Sequence, residues 1–199
     1  LFCDKFVDRR SRTHDQMVQA ARSGRQNIAE GSSDSGTSKK IELKLTGIAK
    51  GSQEELNLDY EDFLRQRGLP QWVPDHPALE RFKSLRCVTL EEFRAWVAQE
   101  VRRARGEDTE PRTHTDTHGR TRTGNGAPED VRVSPCQSVC PADLPKVLVA
   151  NGALSLLNLC LYLLEQQLQS QADSFEKDGG FTERLYRHRT NRRDHTNSP

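Results

Sequence analysis

The chain has 199 residues, with 30 Lys+Arg against 29 Asp+Glu, a net charge of +1, and 33% hydrophobic beside 30% charged residues. Its mean hydropathy of −0.83 excludes one core wrapped by the whole length, so long segments stay unfolded, or the helices are narrow and amphipathic, or both. The charge balance excludes a protein that binds nucleic acid by net charge alone.

Nothing in the sequence resembles a signal peptide or a membrane span. Cys3, Cys87, Cys136, Cys140 and Cys160 are odd in number and scattered, which argues against a disulfide framework and for a reducing, cytoplasmic setting. Leu1 stands where an initiator Met would, so the expectation is a piece of a longer product.

Residues 1–31 read as helix one. Phe2, Phe6, Arg10, Thr13, Met17, Ala20, Gly24, Asn27 and Gly31 keep three–four spacing on one face. The face narrows at Ala20, Ala21 and Gly24, where a neighbour can cross closely. A glycine inside a helix costs about 1 kcal/mol against alanine, so Gly24 needs that packing in return. Gly31 is expected to end the helix as its C′ residue.

GSSDSGTS, residues 31–38, composes a turn. Thr37 or Ser38 is expected to cap helix two, which runs to about Arg67 on a stripe of Ile41, Leu45, Ile48, Ser52, Leu56, Tyr60 and Phe63. A short turn predicts an antiparallel hairpin. It would set Arg9, Arg10 and Arg12 across from Glu54, Glu55, Asp59, Glu61 and Asp62 for ion pairing within the hairpin or between subunits.

Gly68, Pro70, Pro74 and Pro77 interrupt the pattern, with Trp72 expected to seal one end of a bundle and residues 77–85 to form a short helix. Helix three opens with a capping box, Thr89 and Glu92, and runs on Leu90, Phe93, Val97, Val101 and Ala104 to residues 105–106. Residues 106–141 hold too few apolar side chains to offset ordering entropy and are expected to be a disordered insert. Helix four, with Pro145 near its start, carries Val147, Ala150, Leu154, Leu157, Leu161, Leu164, Leu168, Ala172 and Phe175, and Leu156, Leu159, Cys160 and Leu163 widen the stripe. That width predicts burial on more than one side, including against other subunits. Gly179 and Gly180 end it, and a basic tail follows.

RSGRQNIAEGS at residues 22–32, followed by AKGSQEEL at residues 49–56, resembles the four-helix-bundle family of ribosomal-RNA intervening-sequence proteins, in particular the bacterial subgroup with a C-terminal suffix segment. The motif residues are Arg22, Gly24, Asn27, Ile28, Ala29, Glu30 and Gly31 in the first stretch and Ser52, Glu54, Glu55 and Leu56 in the second. The resemblance implies an all-α, antiparallel up-down four-helix bundle. The chain's expected domains are helices one to three in residues 1–105, the insert 106–141, which the resemblance does not cover, helix four in the suffix segment 142–180, and the flexible tail 181–199. It also implies a homo-oligomer, because the related accessory protein of diversity-generating retroelements is a pentameric barrel that binds a reverse transcriptase and nucleic acid without catalysis.

Asn27 and Glu30 are a candidate polar site between helices one and two. Local bonding, with Asn27 tying the turn and Glu30 meeting Lys39 or Lys40, is the reading their place near a helix end favours. Arg9 and Arg10 are assigned to pairing, while Arg22 and Arg25 stay open to phosphate contact. Arg184, Arg187, Arg189, Arg192 and Arg193 suit an electrostatic arm, beside Phe181 and Tyr186, which can stack on bases.

His114, His118, Cys136 and Cys140 are zinc-capable, yet structural zinc sites place cysteine before histidine, so no metal and no cofactor are expected. A metal-binding regulator using this insert is the alternative function. The chain has no phosphate loop, nucleophile elbow or dinucleotide motif. The sequence therefore predicts a non-enzymatic, oligomeric, cytoplasmic scaffold or adaptor. RNA, DNA or a reverse transcriptase are its candidate partners, with no membrane and no small-molecule substrate.

Overall fold

The computed structural model describes residues 2–34, 38–107, 139–178, 185–186 and 189–190. Among the described residues the fold is all-α and has no strands. Its helices are α1 (Phe2–Phe6), α2 (Arg12–Asp34), α3 (Lys39–Gln66), α4 (Pro77–Leu85), α5 (Leu90–Ala104) and α6 (Leu144–Asp178). They divide into two compact units, Leu1–Gly68 with Gly152–Pro199, and Leu69–Asn151.

In the first unit the expected helix one is two helices. Between them Asp8 Oδ1 accepts the Arg10 N–H at 2.9 Å, and Ser11 Oγ accepts the Thr13 N–H at 3.2 Å. These short polar side chains offer the backbone an alternative to the helical ladder. The five-residue α1 is held by rings: Phe2 lies 5.3 Å from Phe6 and 4.8 Å from both Tyr60 and Phe63, centroid to centroid. Arg67 sits 4.0 Å over the Phe63 ring and donates to the Phe6 carbonyl.

The α2–α3 hairpin is antiparallel, as expected, and close. Ser23 and Ser52 hydroxyls stand 2.9 Å apart, Gly24 faces Gln53, and Gly31 faces Leu45. Met17, Ala20, Ala49, Leu56 and Phe63 are buried. Gly31 does not end the helix. α2 continues to Asp34, and a Cβ at Gly31 would lie 3.4 Å from that of Leu45, so its smallness serves approach rather than termination. Ser38 caps α3, accepting from the Ile41 N–H. Positive φ occurs at Gly68 (62°) and Gly106 (73°), just past α3 and α5, which is where a left-handed residue ends a helix.

α3 and α6 are also antiparallel. Lys39 Nζ reaches Ser174 Oγ at 2.6 Å, Glu42 accepts from Gln171 at 2.9 Å, and Lys50 Nζ meets Glu165 at 2.6 Å. The two carboxylates of Glu165 and Glu54 hold the Lys50 ammonium above its ordinary pKa.

Within the hairpin, the expected pairing of Arg9, Arg10 and Arg12 with the acidic end of α3 is not seen among the described residues. Arg9 lies 3.7 Å from Asp4, both exposed, while on α3 Asp62 takes Arg65 and Glu54 takes Lys50. That pairing needed an unbroken helix one, and the turn at Asp8–Ser11 removes its register.

The second unit has its own core. Phe82, Trp96, Leu144 and Leu148 are buried together, with Trp72, Phe93, Val97 and Val101 packed against them. His76 caps α4 through Nδ1, which accepts the Ala78 N–H at 3.3 Å, and Pro77 follows in the first turn. Thr89 and Glu92 form the expected capping box, and the N–H groups of Val88 and Thr89 hold Glu92 below the usual carboxylate range.

Trp72 lies in this unit, its ring stacked on His76 at 3.9 Å, and its backbone N–H donates to Asn151 Oδ1 at 2.7 Å. Asn151 also donates to the carbonyls of Pro70 (3.0 Å) and Val147 (2.9 Å). The Glu100 side chain, 3% exposed, is gripped by Arg81 at 2.7 and 2.6 Å and by Arg103 at 2.8 Å.

α6 departs from one expectation. By length and composition it is apolar enough to cross a membrane, and 44% of its most apolar window is buried within the fold.

Candidate functional site

The two motif stretches come together across the α2–α3 contact, and most of their residues build it. Gly24, Gly31, Ser52 and Leu56 are buried, Asn27 and Ile28 half-buried, and Arg22, Ala29, Glu30, Glu54 and Glu55 exposed. Asn27 Nδ2 donates to the Ser23 carbonyl at 2.9 Å and to Ser23 Oγ at 3.2 Å. Ser23 in turn meets Ser52. An Asn27–Ser23–Ser52 chain of hydrogen bonds thus crosses the interface.

Ser23 was missed by the motif reading. Its signal is its place four residues before Asn27, on the same helix face. Glu30 accepts from Gln26 at 2.8 Å rather than from Lys39 or Lys40, because both partners lie one turn apart on α2.

Beside this chain a groove of about 450 Å³ runs between the two helices. Its walls include Gln16, Gln19 and Ser23 from α2 and Ser52, Glu55, Leu58 and Asp59 from α3. Partial burial, with Asp62 and Glu55 nearby, raises the Asp59 carboxyl above its usual pKa. Acidic and amide-lined, the groove suits a cation. Among the described residues no three or more His, Cys, Asp or Glu are grouped to hold a metal.

Arg22 and Arg25 project from α2 into solvent, and neither has an ion-pair partner among the described residues. They share a helix face at three-residue spacing, which suits successive phosphates. Of the tail, Tyr186 and Arg189 are exposed, while Phe181, Arg184, Arg187, Arg192 and Arg193 lie outside the described residues. His114, His118 and Cys136 lie outside them too, and Cys140 is an exposed free thiol.

On α6 the structure reassigns part of the wide apolar stripe. Leu156, Leu159, Tyr162 and Leu163 are 44–61% exposed. Periodicity marked Leu156, Leu159 and Leu163 as part of the stripe, and only the packing shows that the described residues leave them largely exposed. Cys160 beside them is half-buried, which pushes its thiol pKa up.

No family model, no curated protein and no solved structure matches this chain.

Proposed function

We propose that this chain is a non-enzymatic helical scaffold or adaptor that forms a homo-oligomer in the cytoplasm and holds nucleic acid or a nucleic-acid enzyme such as a reverse transcriptase. The observation that carries this reading is the pair of exposed, unpaired arginines, Arg22 and Arg25, on a helix whose opposite face is locked against α3. A rigid helix presenting two guanidinium groups binds phosphates with little ordering cost. The α6 stripe of Leu156, Leu159, Tyr162 and Leu163 adds an apolar face suited to a protein partner.

The resemblance of RSGRQNIAEGS and AKGSQEEL to the bacterial intervening-sequence-type bundles supports the same reading. The same resemblance leads to the finer reading, an antiparallel up-down four-helix bundle. The antiparallel succession α2, α3, α6 is what favours it.

The test is a mobility shift of single- and double-stranded RNA and DNA across a salt series. Binding that weakens as salt rises, and that drops several-fold for Arg22→Glu with Arg25→Glu, is expected. Absence of any shift at low salt would remove nucleic acid from the reading.

A further inference from the structure

α3 presents a second face that nothing among the described residues covers. Lys40, Lys44, Gly47, Ile48, Gly51, Glu55 and Leu58 follow one another at three-, four- and one-residue steps, which keeps them on one side of the helix. Ile48 and Leu58 are 43% and 61% exposed. A Cβ built on Gly47 or Gly51 would meet nothing within 4 Å. The stretch spans about 27 Å at 1.5 Å per residue.

Charge on this face is divided end from end. Lys40 and Lys44 occupy the N-terminal part, and Glu54 and Glu55 the C-terminal part, with Asp59 and Asp62 beyond them. Among the described residues Lys40, Lys44 and Glu55 have no ion-pair partner; Glu54 reaches only Lys50, at 3.4 Å. The acidic end also borders the groove lined by Glu55, Leu58, Asp59, Gln16 and Gln19. A surface that is basic at one end and acidic at the other complements itself when turned through 180°.

We propose that this face docks a second copy of the chain through an antiparallel α3–α3 contact, with a two-fold axis passing between Gly47 and Gly51. Gly47 then faces the partner's Gly51, and their bare backbones let the helix axes come close. Lys44 stands opposite the partner's Glu54 and Glu55. Lys40 stands opposite the partner's Leu58, where its ammonium reaches the mouth of the acidic groove.

Two-fold symmetry uses each of these pairs twice. Ile48, which is exposed in one chain, is covered near the axis. Asp59, raised above its usual pKa by partial burial and then by Asp62 and Glu55, gains a cation of the partner near its groove. The inference deepens the oligomer part of the proposed function by naming the face and its symmetry.

Light scattering and sedimentation of the full chain test it, with circular dichroism to show that each variant stays helical. The wild type is expected to be dimeric at micromolar concentration. Lys44→Glu and Glu55→Lys are each expected to be monomeric, because like charges then meet twice. An equimolar mixture of the two variants is expected to restore the dimer, since one pair is charge-reversed and the other is native.

A mixture that stays monomeric overturns the antiparallel register. A wild type that is oligomeric and indifferent to both variants overturns this face and leaves the oligomer reading standing. A monomeric wild type overturns both.

Discussion

The side chain of Gln53 lies over the bare Cα of Gly24: a Cβ placed on Gly24 would come within 2.8 Å of Gln53 Cδ. Gln53 is itself 8% exposed, so it has little room to leave. In an exposed helix Gly→Ala gains about 1 kcal/mol. Here that gain is offset by displacing a buried amide, and Gly24→Ala is expected to be near neutral. Gly24→Leu is expected to cost about 1–3 kcal/mol by overpacking. Gln53→Ala in the Gly24→Leu background should recover part of that loss. Urea unfolding of the wild type, Gly24→Leu, Gln53→Ala and the double variant measures the coupling, and unchanged stability of Gly24→Leu would contradict the close-packing account.

Gly31 gives the opposite expectation from a similar sequence context. It lies within α2, with the nearest Leu45 atom 3.4 Å from a built Cβ. Its backbone is not left-handed. Gly31→Ala should therefore stabilise by up to about 1 kcal/mol. A terminating residue with positive φ would instead lose stability on the same change, so the sign of the change in melting temperature separates the two.

Glu100 is the buried member of its ion cluster; Arg81 and Arg103 are 39% and 40% exposed. The charge left behind decides the cost. Glu100→Gln leaves arginines that can turn to water, and a loss of about 1–3 kcal/mol is expected. Arg81→Met leaves a buried carboxylate with half its partners, and the expected loss rises to about 3–5 kcal/mol. Equal losses in guanidinium unfolding would mean that the carboxylate is better solvated than its burial indicates.

His76 links stability to pH. Its Nδ1 accepts the Ala78 N–H, so the ring is neutral in this fold. Burial first, and Arg81 next, lower its pKa below the ordinary 6.5, while Glu100 and Asp75 pull the other way. Below pH 6.5 the unfolded chain takes up the proton before the native one does, so stability falls with pH until the folded ring titrates as well. His76→Asn keeps a capping acceptor without a titrating ring. The variant should lose less stability than the wild type on going from pH 7 to about pH 5. Parallel stability profiles for the two would show that the cap is not the titrating element.

The legible parts of the fold were those with a local physical cause. Three–four apolar spacing marks α2, α3, α5 and α6, while Ser38 and the Thr89–Glu92 box fix two helix starts through their own backbone bonds. The shrinking face at Ala20 and Gly24 foretold the close α2–α3 contact. What stayed hidden depended on competition or on distant partners. Three–four spacing from Phe6 through Arg10 and Thr13 to Met17 runs straight through Asp8–Ser11, yet two side-chain acceptors there break the helix. The bond from the Trp72 N–H to Asn151 joins residues far apart in sequence, with no local signal for it. At the candidate site Ser23, Asn27 and Ser52 are ordinary polar residues until the hairpin closes. The exposure of Leu156 and Leu159 follows from which side of α6 finds neighbours, which periodicity leaves open.

Trp72 and Trp96 are the two tryptophans of the chain, and both belong to the unit Leu69–Asn151; Tyr60, Tyr162 and Tyr186 all belong to the other. Indole emission is therefore a private reporter of one unit, blind to the melting of the α2–α3 hairpin. Backbone ellipticity registers every helix at once. Recording both signals in a single denaturation time course separates two clocks: coincident decay shows one cooperative event, and an emission change that leads or lags shows two. The imidazole stacked face to face on Trp72 gives the first clock a second hand, since protonating His76 places a charge against the indole it touches.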